Sequence, residues 1–130
     1  MQVRAINPET LHDPPGDYSH AVQVGNLVFV SGQIPMDRQG RIPMRDFRAQ
    51  TEQVFQNLKG VLDEIGATFD DIVRERGYIV NLDMNFATFI EVSSKYRSKK
   101  LLPASTLIEV PSLVPKESMV EYEVVVALPG

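Results

Sequence analysis

Polar side chains occupy several positions of this sequence where a β-strand would ordinarily carry apolar residues. Tyr18 stands at the start of a strand-like segment, and Ser31-Gly32-Gln33 ends a run of β-branched and aromatic residues. Glu121 and Glu123 interrupt the most apolar segment of the chain, residues 120–128. A carboxylate that lines a cleft beside hydroxyl groups can orient or deprotonate a water molecule. Periodicity alone leaves open a second interpretation, in which the glutamates occupy the solvent-facing side of an edge strand.

Other common catalytic signatures are missing from the sequence. It contains no Gly-rich phosphate loop, no nucleophile elbow and no His-x-x-x-His pair. It also contains no cysteine, which excludes thiolate nucleophiles, disulfides, zinc ribbons and iron–sulfur clusters. His12 and His20 are the only histidines, and nothing in their spacing requires a metal ion. We therefore expect no metal site, and we interpret His20 as a structural histidine.

The composition is that of one compact domain, which we assign to residues 1–130. Of the 130 residues 43% are hydrophobic, enough for a core without disulfides or metals. The 13 basic and 17 acidic residues give a net charge of −4, which argues against a nucleic-acid-binding protein. No signal peptide and no apolar run of membrane-spanning length is visible. We expect a soluble, cytoplasmic protein with no membrane contact.

Hydrophobic periodicity predicts the elements that must position these side chains. Three prolines within residues 7–16 predict a loop. Gly25-Asn26 separates two β-like segments and predicts a hairpin, whose second strand ends near Gln33. Asp46 is a candidate N-cap for an amphipathic helix that ends at Gly66. The polar residues around position 31 should therefore lie at the end of a hairpin strand.

The second half of the chain alternates strand and helix. Residues 72–80 and 104–110 are strand-like, and a helix with Asp83 as its N-cap lies between them and is closed by Pro103. The apolar residues of this helix recur at helical spacing: Phe86, Phe89, Ile90 and Tyr96. The strand–helix–strand segment has the length of a right-handed crossover between parallel strands.

The predicted fold is an α+β domain of order ββαβαββ, with a mixed sheet and two helices on one face. Residues 1–6 are a candidate for an additional edge strand. No third helix is available to cover the other face of the sheet, and valines at both parities of residues 124–126 predict a strand buried on both sides. We therefore expect the chain to form a homo-oligomer through this face.

Two segments near the N-terminus form a specific pattern: Gly16-Asp17-Tyr18-Ser19-His20-Ala21-Val22, and Gly25-Asn26-Leu27-Val28-Phe29-Val30-Ser31-Gly32-Gln33-Ile34-Pro35. The pattern continues in order and spacing through Gln53, Asn57-Leu58-Lys59, Leu82-Asp83-Met84, Pro103-Ala104 and Val120-Glu121-Tyr122-Glu123. Over nearly the whole chain it resembles the reactive-intermediate deaminases, the Rid or YjgF-like family, whose members also carry the name endoribonuclease L-PSP.

The resemblance implies a chorismate-mutase-like fold assembled as a homotrimer, with small-molecule clefts between the subunits. Active members of the family hydrolyse reactive imines or enamines to ketoacids and ammonia, and they need no metal or organic cofactor. Carried over by position, Tyr18 lines the cleft, Ser31 forms part of its wall and Glu121 positions the attacking water.

The sequence departs from the family pattern at three positions. Pro103-Ala104 is followed by Ser105, where deaminating members carry an arginine that binds the substrate carboxylate. Ile90 replaces a cleft asparagine of the second helix, and Asp17 replaces a proline. Loss of the arginine removes charge-assisted hydrogen bonds worth about 1.5–3 kcal/mol. The sequence thus resembles an arginine-lacking branch, which we expect to process simple 2-imino acids poorly.

Three functional hypotheses follow. The first is a hydrolase or deaminase of imine or enamine intermediates. Its catalytic residues would be Glu121, Tyr18 and Ser31, and its substrate-binding residues would be Ser105, Ala104 and Ile90. The second is a non-catalytic trimer that binds a metabolite or a partner protein in the same clefts. The third is a ribonuclease or translation inhibitor, which the acidic charge balance disfavours.

Two groups of basic residues complete the candidates. The first group either consists of solvated loop charges or reaches a cleft in place of the missing arginine: Arg38, Arg41, Arg45, Arg48 and Lys116. The second group is interpreted as charge that complements the C-terminus of the second helix: Lys95, Arg97, Lys99 and Lys100.

Overall fold

Six strands and two helices make up the fold in a computed structural model that describes residues 2–129. The strands are β1 Val3–Ile6, β2 Ala21–Val24, β3 Leu27–Gln33, β4 Ile72–Ile79, β5 Ala104–Glu109 and β6 Val120–Ala127. The helices are α1 Phe47–Glu64 and α2 Leu82–Ser93, and a short 3₁₀ helix spans Phe69–Asp71. No helix within residues 2–129 is both long and apolar enough to cross a membrane.

The strands form one mixed sheet in the order β1-β2-β3-β6-β4-β5. Only the β4–β5 pair is parallel within residues 2–129, and α2 makes the crossover between its two strands. The predicted α+β architecture is therefore confirmed. The candidate edge strand is present as β1, while Met1 lies outside the described residues.

The hairpin and the first helix form for the reasons that the sequence indicates. Gly25 adopts a φ of 59°, the left-handed conformation that a tight hairpin turn requires. Asp46 caps α1, because its carboxylate accepts a hydrogen bond from the Ala49 backbone N–H at 3.0 Å. Gly66 follows the helix with a φ of 70°, which ends it in the usual way.

The start of α2 differs from the prediction. Asn81, with a φ of 55°, precedes the helix, and Asp83 lies inside the first turn, so the assignment of Asp83 as N-cap is wrong. The exposed N–H of Leu82 instead donates to the Glu109 carboxylate at 3.0 Å. Glu109 of β5, which is distant in sequence, therefore takes the place of a local N-cap residue. A sequence pattern restricted to neighbouring residues does not contain that contact.

The end of α2 is also earlier than the sequence suggested. The helix stops at Ser93, and Tyr96 lies beyond it with its ring stacked on Phe55 at 5.1 Å between centroids. The basic residues that follow do not complement the helix terminus as predicted. Lys95 pairs with Glu52 and Arg97 pairs with Glu75, because carboxylates on neighbouring elements lie within reach.

Strand β6 lies at the centre of the sheet, between β3 and β4. Its alternate residues pack under the two helices and are buried: Val120, Tyr122, Val124 and Val126. Glu121 and Glu123 therefore share the opposite face, which no element within residues 2–129 covers. The interpretation that placed the glutamates on an edge strand is wrong, and both lie on a central strand.

The uncovered face of the sheet is partly apolar. Large hydrophobic side chains on it are 37–47% exposed: Leu27, Phe29, Val73 and Ile108. Large apolar side chains left exposed on one face are typical of an interface. Burial of this face by self-association stays a prediction.

Candidate functional site

Tyr18, Ser31 and Glu121 line one cavity of about 410 Å³ at the junction of β3 and β6. The remaining lining residues are small or apolar: Pro15, Gly16, Gly32, Ile34 and Val114. A volume of this size suits a small organic molecule. A larger cavity of about 490 Å³ along α1 is lined by none of the predicted site residues. The cavity that holds the three predicted residues is therefore the better candidate.

A β-bulge places the polar residues of β3 in this cavity. Val30 pairs with Val124 and Gln33 pairs with Tyr122, so two residues of β3 lie opposite Glu123 alone. The extra residue allows Gln33 to face the core, where it is 1% exposed. Ser31 and Gly32 are left at the cavity wall. The polar end of this strand, visible in the sequence, is thus the bulge itself.

Gly32 makes room for the Glu121 carboxylate. A Cβ atom at position 32 would overlap the Glu121 side chain, so any larger residue requires one of the two to move. Close approach of this kind is the usual reason for a glycine inside a strand. The position and direction of the carboxylate therefore depend on Gly32.

The Glu121 carboxyl group is partly buried and has a raised pKa. Burial is the main cause, and the negative charge of nearby Glu123 adds to it. Within residues 2–129, no group donates a hydrogen bond to this carboxylate. A carboxylate with a raised pKa and free lone pairs is suited to accept a proton from water.

Tyr18 supplies a hydroxyl donor to the same cavity. Burial raises the pKa of its phenol, and the charge of Glu121 raises that pKa further. The phenol therefore stays protonated at neutral pH and can donate a hydrogen bond. The Tyr18 backbone N–H donates to the Gly16 carbonyl at 3.0 Å, which fixes the turn that carries the ring.

Ser31 is an acceptor toward the cavity. Its hydroxyl donates to the Ser19 carbonyl at 2.6 Å, and its backbone N–H donates to the His20 carbonyl at 2.9 Å. Because the hydroxyl proton is used in this way, the oxygen offers a ligand only its lone pairs. The same two bonds join β3 to the segment that follows Tyr18.

Two buried amides of α1, which sequence reasoning missed, fix the loops around the cavity. The Asn57 side chain donates to the carbonyls of Ile34 and Met36 at 3.0 and 2.9 Å. The Gln50 side chain donates to the Glu117 carbonyl at 3.0 Å and accepts from the Met119 N–H at 2.8 Å. Amide side chains on the apolar stripe of a helix were the available signal, since a buried amide needs partners.

Ser105, Ala104 and Ile90 lie away from this cavity. Ser105 pairs with Glu75 in the parallel β4–β5 register, so it shares the helix-covered side of the sheet with Glu75. Glu121 faces the other side, and β4 separates the two strands. Ala104 and Ile90 are exposed and do not line the cavity either. One chain therefore does not bring the two predicted groups together.

Arg97 is bound next to the strand position of Ser105. Its guanidinium donates to the Glu75 carboxylate at 2.5 Å, and Glu75 is the register partner of Ser105. Glu75 is 2% exposed and also accepts a hydrogen bond from the Tyr122 hydroxyl. Arg97 thereby neutralises a buried carboxylate instead of presenting a free positive charge.

The two histidines have structural contacts, in agreement with the interpretation of His20. Its Nε2–H donates to the His12 carbonyl at 2.7 Å, and its Nδ1 accepts from the Gln33 amide at 3.3 Å. Burial lowers the pKa of His20, which keeps the ring neutral. The part of the chain from residue 2 to 129 contains no group of three or more histidine, aspartate and glutamate side chains that could hold a metal ion.

Comparison with known proteins gives consistent similarities over almost the whole chain. The model of the family described as endoribonuclease L-PSP matches residues 9–128. A RutC family protein of Pyrococcus abyssi is 39% identical over 126 residues, which cover 96% of this chain and 97% of the relative. A 2-iminobutanoate/2-iminopropanoate deaminase of Dermatophagoides farinae is 34% identical over 126 residues, which cover 96% of each. The crystal structure of RidA from the Antarctic bacterium Psychrobacter sp. superposes with a TM-score of 0.88 and 32% identity, covering 96% of this chain and 99% of that one.

Proposed function

The chain belongs to the endoribonuclease L-PSP family, also called the Rid or YjgF-like family, and on that premise we propose that it hydrolyses reactive imines to carbonyl compounds and ammonia. Its fold is the chorismate-mutase-like fold of the family. Family membership supports a deaminase or small-molecule-binding role in general. The observation that carries the specific proposal is the common cavity of Glu121, Tyr18 and Ser31.

The chemistry assigns each of the three side chains one task. The imine reacts in its protonated form. Glu121 accepts a proton as water adds to the carbon, which gives a neutral tetrahedral carbinolamine whose nitrogen accepts a hydrogen bond from the Tyr18 O–H. Glu121 then returns its proton to that nitrogen, the C–N bond breaks to release ammonia, and the remaining O–H gives its proton to Glu121 to leave the carbonyl. Ser31 accepts a hydrogen bond from the substrate N–H and orients the C=N bond.

The complete site would form between two copies of the chain. Family members are typically homotrimers, and the uncovered apolar face of this sheet supports the same assembly here. The cavity of one copy would then meet the β5 edge of the next, where Ala104, Ser105 and Ile90 would contact the substrate. An assembly of this kind would bring Ser105, which lies on the other face of its own sheet from Glu121, to the cavity of a neighbouring copy.

The first experiment tests the role of Glu121. A flavin-dependent amine oxidase acting on 2-phenylethylamine supplies an imine without a carboxylate, and the rate of ammonia release reports its hydrolysis. We expect the wild type to accelerate ammonia release and Glu121→Gln to lose about a hundredfold in rate. Glu117→Gln is the matched control, because its side chain is exposed and lines no part of the cavity. Equal rates for Glu121→Gln and the wild type would exclude Glu121 as the base.

The second experiment tests the missing arginine. An amino-acid oxidase generates 2-iminopropanoate, on which we expect rates near background for the wild type and a gain for Ser105→Arg. Ser105 is exposed, so the longer side chain has room. A fast wild type would show that this chain does not need the arginine for a carboxylate substrate.

The second candidate function is a trimer that binds a metabolite without turning it over. Replacement of the family's arginine and asparagine by Ser105 and Ile90 favours it. Binding of an amine at the cavity with no hydrolysis of any imine would identify this case. A ribonuclease would instead retard RNA in a strongly salt-dependent way.

A further inference from the structure

The cavity has an unusual balance of hydrogen-bonding groups. Glu121 and the Ser31 oxygen are acceptors, while the Tyr18 hydroxyl is the one side-chain donor among its lining residues. Apolar side chains of Pro15 and Val114 form much of the remaining wall. Such a site is better matched to a ligand with several N–H groups than to a ligand rich in oxygen lone pairs.

The charged side chain that lines the cavity is a carboxylate. Glu121 is its only ionisable lining residue apart from Tyr18, and Glu123 lies close enough to raise the pKa of Glu121. None of the groups that affect this pKa is a cation. The Glu123 carboxylate accepts a hydrogen bond from the Tyr78 hydroxyl at 2.5 Å, which holds the second charge on the same face.

No cation within residues 2–129 lines this cavity. Arg76 lies opposite Glu123 in the β4–β6 register, so the second carboxylate has a positive charge beside it. Arg97 is bound to buried Glu75, so its charge is already compensated near the β5 edge. Three loop arginines lie outside this cavity. Arg41 pairs with Asp37, Arg48 pairs with Glu91, and Arg38 lines a separate cavity beside His12. These contacts place Arg38, Arg41 and Arg48 outside the cavity.

Building on the proposed function, we infer that this cavity selects a positively charged nitrogen on an apolar frame, an iminium or ammonium group, and disfavours a carboxylate. The cation would lie against Glu121 and donate N–H groups to Glu121 and Ser31. The apolar part would contact Pro15, Ile34 and Val114. A carboxylate in the same place would lose hydration, face the negative charge of Glu121 and gain a single side-chain donor, Tyr18.

The selection has a consequence for the reaction that supplies the substrate. Oxidation of an amine gives an imine with no carboxylate, whereas oxidation or dehydration of an amino acid gives a 2-imino acid. The first class of reaction would produce the preferred ligand. The protein would then act on imines derived from amines.

Equilibrium binding of three similar ligands tests the inference without any reaction. 2-Phenylethylamine, 2-phenylethanol and phenylacetate share the aromatic group and carry charges of about +1, 0 and −1 at neutral pH. Calorimetry on the assembled wild-type protein should give the tightest binding for the amine, about tenfold tighter than the alcohol, and the weakest for phenylacetate. Tightest binding of phenylacetate, or equal binding of all three, would overturn the inference.

Two variants assign the selectivity to this cavity. Glu121→Gln should remove the preference for the amine over the alcohol, while Glu123→Gln should reduce it by a smaller factor, because Glu123 acts from outside the cavity. A preference that survives Glu121→Gln would place the amine at another site and refute the inference. Binding of the alcohol itself should change little and shows that each variant is folded.

The outcomes separate this inference from the proposed function. Amine selectivity without hydrolysis of any imine would leave the inference standing and reject catalysis. Hydrolysis of imines together with tightest binding of the carboxylate would reject the inference and leave the catalytic role intact.

Discussion

Replacement of Gly32 by alanine should impair the site without unfolding the protein. The added Cβ would overlap the Glu121 carboxylate, and the backbone there is held by the β3–β6 pairing on both sides of the bulge. Glu121 is only partly buried, so its side chain can rotate away from position 32 toward solvent. We therefore expect the carboxylate to move rather than the strand.

We expect Gly32→Ala to lower activity much more than stability. Overpacking at a site that can relax outward should cost about 1 kcal/mol, which lowers the melting temperature by about 3–5 °C for a chain of this size. A base displaced by about 1 Å or more should lower kcat/KM for imine hydrolysis by about a hundredfold. Activity should thus fall far more than stability.

The assay compares kcat/KM, measured by ammonia release, with the melting temperature of the same preparations. Gly16→Ala is the matched control, because its added Cβ would lie 3.4 Å from the Tyr18 ring, an ordinary contact on the same cavity wall. This control should stay within about 0.5 kcal/mol of the wild type in stability and keep its activity.

A double variant decides whether the effect passes through the carboxylate. If it does, Gly32→Ala should cause no further loss in a Glu121→Gln background. Equal losses in both backgrounds would refute the reasoning, as would full activity of Gly32→Ala alone.

Three further results are expected. Arg97→Met should lower the free energy of unfolding in urea by about 3 kcal/mol, because Glu75 is left buried without a cation, and Glu75→Gln in the same chain should recover part of the loss. The acid limb of kcat/KM should lie above the pH range of an ordinary glutamate, since activity is lost as the raised pKa of Glu121 is crossed from above, and Glu123→Gln should move it to lower pH. Absence of that movement would show that the charge of Glu123 does not reach the base. Asn57→Ala should cost about 2 kcal/mol by thermal melting, because two carbonyls lose their donor, and an unchanged melting temperature would contradict that role.

Local patterns in the sequence were enough to predict most of the elements. The hairpin turn at Gly25-Asn26 and the helix bounded by Asp46 and Gly66 depend on neighbouring residues, and both were confirmed. The start of α2 was mistaken because Glu109, distant in sequence, binds its first N–H. The alternative that placed the glutamates of β6 on an edge strand was wrong, since strand order depends on pairing across the whole chain.

The candidate site was predictable where it relied on side-chain type at a strand position. Tyr18, Ser31 and Glu121 stood out as polar residues in apolar surroundings, and they line one cavity. The roles of Gly32 and Asn57 were not predictable, because they consist of a close approach and of bonds to distant backbone carbonyls. Ser105 lies outside the cavity of a single chain, so its role stays a prediction.

Helix α1 holds the two loops that flank the cavity. Asn57 holds the loop after β3, and Gln50 holds the loop before β6. These residues are seven positions apart, which is about 10 Å along a helix that does not stretch. The distance between the two loops is therefore set by a single helix. Substitution of individual wall residues could therefore change which ligand binds, while Asn57 and Gln50 keep the spacing of the two loops the same.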